Sequence, residues 1–121
     1  MLDRVHLYGV SSENTILDGN ENSKIFIIKN IDDFELKNVS IVNGKGKKGA
    51  GAYIENSSPQ FYNVEFKQNG DFEFDEEKGG AIYAFQSDNI VMRNVNIEEN
   101  NGLLRRFSRS VGKITLKNII F

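Results

Sequence analysis

Apolar and polar residues alternate along this chain in short bursts, and each burst loses its phase at the same kind of residue. In Phe34-Glu35-Leu36-Lys37-Asn38-Val39-Ser40-Ile41 the apolar side chains fall on every second position as far as Leu36. An apolar residue then follows Asn38 directly, and alternation resumes. Period-two alternation predicts a strand with one buried face. A slip of phase within it predicts a corner between two short strands.

The phrase around that slip recurs. Leu36-Lys37-Asn38-Val39, Phe61-Tyr62-Asn63-Val64, Met92-Arg93-Asn94-Val95 and Leu116-Lys117-Asn118-Ile119 share one pattern, and Leu7-Tyr8-Gly9-Val10 repeats it with glycine at the keyed position. The keyed residues stand at 9, 38, 63, 94 and 118, so the copies are 29, 25, 31 and 24 residues apart. Self-similarity at such a period predicts a stacked array of repeats. Aligned on the keyed position, Val5, Phe34, Pro59, Ile90 and Ile114 form one column, and Leu7, Leu36, Phe61, Met92 and Leu116 another. Val10, Val39, Val64, Val95 and Ile119 follow the corner, with Ser12, Ile41, Phe66, Ile97 and Phe121 two residues later.

Asparagine suits the corner because it tolerates left-handed backbone angles and its amide both donates and accepts. Stacked at the strand spacing of about 4.8 Å, the side chains of Asn38, Asn63, Asn94 and Asn118 are expected to bond as a ladder ending at Gly9. A second strand per repeat is expected at Ile25-Phe26-Ile27-Ile28, Gly51-Ala52-Tyr53-Ile54 and Gly80-Ala81-Ile82-Tyr83, aligned to within one residue. Variable loops follow the corner segments. Strand, corner, strand, loop and strand, without any helical period, describe a coil of parallel strands in a single domain, 1–121.

The columns and asparagine corners resemble the right-handed parallel β-helix proteins of the pectate-lyase-like superfamily. Gly79-Gly80-Ala81-Ile82 and Phe66-Lys67-Gln68-Asn69 resemble the Gly-Gly-Ala-(Ile/Leu/Val) and Phe-x-x-Asn motifs of the polymorphic outer-membrane protein repeat. Gly49-Ala50-Gly51-Ala52 and Ile97-Glu98-Glu99-Asn100 are weaker versions. Thr15-Ile16-Leu17-Asp18-Gly19-Asn20 is similar to the first rung of such helices in large microbial adhesin-like surface proteins. The resemblance implies an all-β, right-handed parallel β-helix of about four to five rungs, located outside the cell or on its surface. It does not fix activity, because lyases, glycosidases, esterases, tailspikes and adhesins share this fold.

Composition narrows the chemistry. Fifteen basic against 17 acidic residues give a net charge of −2, unlike the basic footprint of nucleic-acid binders. There is no cysteine, hence no disulfide framework and no thiolate metal site. No apolar run reaches membrane-span length, and Met1-Leu2-Asp3-Arg4 does not begin a signal peptide. Nine Phe, four Tyr and a single Pro favour strands. The chain stops in a strand-like segment and starts four residues before Val5, which reads as a piece of a longer solenoid or a chain prone to end-to-end self-association.

Candidate functional residues are few. His6 is the only histidine, so a catalytic triad or zinc site lacks material, and it is expected as a surface residue of the first rung. The outward columns set Glu35 beside Gln60 and Glu65 between Ser40 and Asn96, which is no carboxylate pair for glycoside hydrolysis. Asp32-Asp33 reads as a turn. Asp71, Glu73, Asp75, Glu76 and Glu77 form an acidic loop with calcium-type ligands. Its neighbours carry Lys45, Lys47 and Lys48 on one side and Arg105, Arg106 and Arg109 on the other, so charge matching between stacked loops is the stronger reading. No cofactor is expected.

The outward row one residue before the corner is Tyr8, Lys37, Tyr62, Arg93 and Lys117. Aromatic faces and cations along a ridge could receive an extended acidic polysaccharide or host glycan, or could satisfy one another by cation–π contact. The leading expectation is a non-enzymatic, adhesive segment of a microbial surface protein. A carbohydrate-active module of lyase or hydrolase type and a purely structural stalk are the alternatives.

Overall fold

The computed structural model describes residues 4–46, 49–70 and 81–100, together with the backbone course of Arg106–Phe107 and Ile114–Ile120. Among these residues there is no helix. The elements are β1 (Arg4–Tyr8), β2 (Ile16–Asp18), β3 (Phe26–Lys29), β4 (Asp33–Val42), β5 (Ala52–Glu55), β6 (Pro59–Lys67), β7 (Ile82–Phe85), β8 (Ile90–Glu98), β9 (Arg106–Phe107) and β10 (Ile114–Ile120).

They form two parallel sheets. The first has six strands in the order β1-β4-β6-β8-β10, with β2 also pairing β4, and the second runs β3-β5-β7-β9. The chain therefore visits the sheets in turn, and each repeat lays its long strand beside that of the previous repeat. Parallel neighbours need a long crossover, which the rest of each repeat supplies. The acidic loop residues Asp71, Glu73, Asp75, Glu76 and Glu77 lie outside the described residues.

The register reproduces the predicted columns. Val5 pairs Phe34, and Leu7 pairs Leu36. Leu36 pairs Phe61, Val39 pairs Val64, and Ile41 pairs Phe66. Phe61 then pairs Met92, and Val64 pairs Val95. These side chains are the core: Leu36, Ile41, Phe61, Phe66, Ile82, Ile90, Met92 and Ile97 are fully buried. Phe34, Phe61 and Phe66 meet edge to face, at centroid separations of 6.3 and 5.7 Å.

Three expectations need correction. The corner does not separate two strands: β4, β6 and β8 each run through it as one element. Asn38, Asn63 and Asn94 take φ of 60°, 53° and 54°. One left-handed residue swaps the buried face and leaves the pairing on both sides intact. Secondly, Val10 and Ser12 do not extend the core columns. Val10 is 83% exposed, and the partners of Ser40, Ile41 and Val42 are Ile16, Leu17 and Asp18. The first corner carries an inserted loop. Gly9 is needed at its start, because a Cβ there would collide with the Asn38 carbonyl and lie 2.8 Å from the Thr15 side chain. Thirdly, Ala52 pairs Ile82 and not Ala81, a shift of one residue in the second sheet.

Left-handed residues also mark corners that sequence alternation does not reveal. Asn30, Asn56 and Gln86 follow the second-sheet strands, and Asn43, Gln68 and Glu99 follow the long strands, all with φ between 48° and 57°. The buried amides belong next to this last set. Asn69 is fully buried and Asn100 nearly so. Asn69 Nδ2 donates to the Ile41 carbonyl and to Asn100 Oδ1, each at 3.0 Å, and its Oδ1 accepts from Gly44 N–H at 2.9 Å. Asn100 Nδ2 donates to the Phe66 carbonyl at 2.8 Å. The Phe-x-x-Asn motif thus ties three successive repeats from the inside.

Because Asn69 holds buried groups of both neighbouring repeats, Asn69→Ala strands them without partners. It is expected to cost about 2–4 kcal/mol, read as a lowered urea midpoint with an unchanged far-ultraviolet spectrum at zero denaturant.

Candidate functional surface

The predicted ridge is in register. Tyr8 pairs Lys37, Lys37 pairs Tyr62, Tyr62 pairs Arg93, and Arg93 pairs Lys117 along the backbone. The side chain of Lys117 lies outside the described residues. From Tyr8 to Arg93, aromatic rings and cations alternate at strand spacing. Lys37 Nζ stands 4.9 Å from the Tyr8 ring centre and 5.1 Å from that of Tyr62, while the Arg93 guanidinium carbon is 5.9 Å from Tyr62. Tyr8 is 57% exposed, Arg93 is exposed, and Lys37 and Tyr62 are half-buried between their neighbours.

Polar partners along the same strands steady the row. Tyr62 OH donates to Gln60 Oε1 at 2.7 Å. Lys37 Nζ lies 3.2 Å from Glu35 Oε1, a hydrogen bond that holds the Lys37 ammonium above its ordinary value.

Beside the ridge, the bend at the corner opens a groove of about 490 Å³. Asn38, Asn63 and Asn94 line it, with Glu65 and Asn96 from the strand halves beyond the corner and Val10, Ser11 and Ser12 from the inserted loop. Asn63 Nδ2 donates to Asn38 Oδ1 at 3.0 Å, and Asn38 Nδ2 to the Gly9 carbonyl at 3.4 Å. These corner amides face an open groove and not the core: Asn63 and Asn94 are exposed and Asn38 is half-buried. Asn96 Oδ1 is buried there without a hydrogen-bond partner. Glu65 is the single carboxylate among the described residues of the lining, flanked by Ser40 and Asn96 as the columns predicted.

Two features escaped the sequence reading. On the second sheet, Tyr53 pairs Tyr83, and their rings stack at 5.8 Å with planes 13° apart. Lys24 and Lys29 approach the Tyr53 ring at 5.9 and 5.6 Å. A correct one-residue register would have revealed this pair. The other is around His6, whose Nε2 lies 3.0 Å from Asp33 Oδ1 and 3.3 Å from Glu35 Oε2. Hydrogen bonding from His6, then its charge and that of Arg4, outweigh burial and hold the Asp33 carboxyl below its ordinary value. The signal was present: the columns already set Val5 beside Phe34, hence His6 beside Glu35, and Asp33 lies two residues from Glu35 on the same face.

No protein-family model, curated protein or solved structure matches the chain. The arrangement of side chains is therefore the basis for a functional reading.

Tyr53 offers a pH test of the second face. Its hydroxyl donates to Glu55 Oε1 at 2.8 Å, and that bond, with burial and the Glu55 charge, raises its pKa above 10.0. A raised value means the contribution is fully present below pH 10 and is lost as pH climbs through the folded-state value. Ultraviolet titration of phenolate should show a component ionising above the ordinary tyrosine value, and Tyr53→Phe should delete it.

Proposed function

We propose that the two sheets are faces of one right-handed parallel β-helix, its corner amides continuing as an asparagine ladder through Asn94; the side chain of Asn118 lies outside the described residues. We further propose that the chain is a non-enzymatic, adhesive element of a microbial cell-surface protein that holds an extended acidic glycan along Tyr8, Lys37, Tyr62 and Arg93. The handedness rests on the near-universal right-handed sense of parallel crossovers. The ladder rests on the Asn63 to Asn38 bond and on the equivalent left-handed angle at Asn94.

The observation that carries the binding reading is the alternation of ring and cation along one straight, register-locked row. A pyranose ring presents an apolar face that stacks on tyrosine, and a uronate carboxylate is matched by lysine or arginine. Strand spacing of about 4.8 Å gives such groups a regular pitch along an extended polymer. The row is held by cation–π contacts and by Gln60 and Glu35, so little side-chain freedom is lost when a ligand arrives. The groove beside it adds amides able to bond sugar hydroxyls in either sense. Among the described residues of its lining Glu65 is the one carboxylate, a set that suits holding a sugar chain.

Binding of fluorescently labelled polygalacturonate by the full chain tests this. Saturable, salt-sensitive binding is expected, weakened about five- to thirtyfold by Tyr62→Ala, equivalent to roughly 1–2 kcal/mol. Affinity unchanged in that variant, or no acidic polysaccharide bound at all, would refute the ridge. Release of unsaturated sugar products would replace adhesion with lyase activity.

A further inference from the structure

At the β1 edge of the first sheet, side chains from β1 and β4 converge on His6. Tyr8 OH donates to Glu35 Oε1 at 3.3 Å and also stands 3.3 Å from His6 Nδ1. His6 Nε2 faces Asp33 Oδ1 at 3.0 Å and Glu35 Oε2 at 3.3 Å, so a ring nitrogen and one oxygen from each of two carboxylates come together on the outer face of β1 and β4.

We propose that His6, Asp33 and Glu35 form a binding site for a divalent transition-metal ion of the Zn²⁺ class, through Nε2, Oδ1 and Oε2. Ligands at zinc distances of about 2.0–2.2 Å in a tetrahedron stand roughly 3.3–3.6 Å apart. Each of the three residues can offer one ligand atom within 4.8 Å of the other two, and the Nε2 separations of 3.0 and 3.3 Å are within a few tenths of an ångström of that tetrahedral spacing. The second atom of each ligand is already held. Tyr8 faces Nδ1, Arg4 Nε donates to Asp33 Oδ2 at 3.1 Å, and Lys37 Nζ lies 3.2 Å from Glu35 Oε1. Such outer partners fix the orientation of metal ligands and leave the inner atoms for the ion.

The donor set selects the ion. One imidazole with two carboxylates suits Zn²⁺ and its first-row neighbours, whereas Ca²⁺ takes six to eight oxygens. The ligand side chains are 27%, 37% and 17% exposed, so an ion can enter from solvent and a fourth position stays open. The site does not depend on the glycan reading.

Titrating the full chain with zinc chloride in a non-chelating buffer, followed by calorimetry, tests the site. One saturable site per chain is expected, undisturbed by equimolar calcium, and Co²⁺ in its place should give the visible absorption of a four-coordinate ion. His6→Gln and Asp33→Asn should abolish it. Tyr8→Phe keeps the ring over Lys37 and removes only the hydroxyl, and should weaken binding about ten- to a hundredfold. Circular dichroism without metal establishes that each variant is folded. The Co²⁺ spectrum of the unaltered chain stands even if a variant is not. Absence of saturable zinc binding in the unaltered chain, or unchanged affinity in folded His6→Gln, would overturn the proposal.

Discussion

A parallel stack must turn each strand back over the last without leaving buried backbone groups unpaired, and here that constraint is met by single residues in the left-handed region. Asn38, Asn63 and Asn94 turn the long strands while the pairing continues on either side. Each such turn moves the inward face from one set of alternate residues to the other. The apolar columns, the outward ridge and the groove follow from where that exchange happens. Non-glycine residues enter this region at a cost of about 1–2 kcal/mol, less for asparagine, whose side chain bonds locally and tolerates the angle. Glutamine and glutamate occupy the same conformation at Gln68, Gln86 and Glu99, each directly after the end of a strand.

The core was legible because the keyed asparagine supplies a fixed point from which columns can be counted. Leu36, Phe61 and Met92 could be aligned from the sequence, and their pairing agrees. The N-terminal repeat misled the count because Leu7-Tyr8-Gly9-Val10 imitates the phrase, while the chain leaves the sheet after Tyr8 and returns at Ile16. An apolar residue in the right place carries no sign that it sits in an inserted loop. The second sheet lacked a phase marker of its own. In Gly80-Ala81-Ile82-Tyr83 small and apolar residues run together, so nothing in the order decides which of two registers holds.

Surface chemistry divided along the same line. The ridge lies next to the keyed asparagine and could be read directly. The Tyr53–Tyr83 stack depends on the register of the unmarked sheet. The contacts of His6 need two spacings at once, one along β4 and one across to β1, and neither is unusual alone. Asn69 and Asn100 were visible as a motif, yet only burial shows that they, and not the corner amides, carry the polar bonds of the interior. A corner amide beside solvent can exchange partners with water. An interior one cannot.

The alternation of ring and cation from Tyr8 to Arg93 bears on how such an array can lengthen. Copying one repeat in place would set like beside like, lysine over lysine or tyrosine over tyrosine, so the added turn would bring no new cation–π contact and, in the lysine case, would add a charge repulsion. Copying two adjacent repeats preserves the order. From Tyr8 to Arg93 the alternation therefore has a period of two turns, although the unit of folding is the single turn of chain.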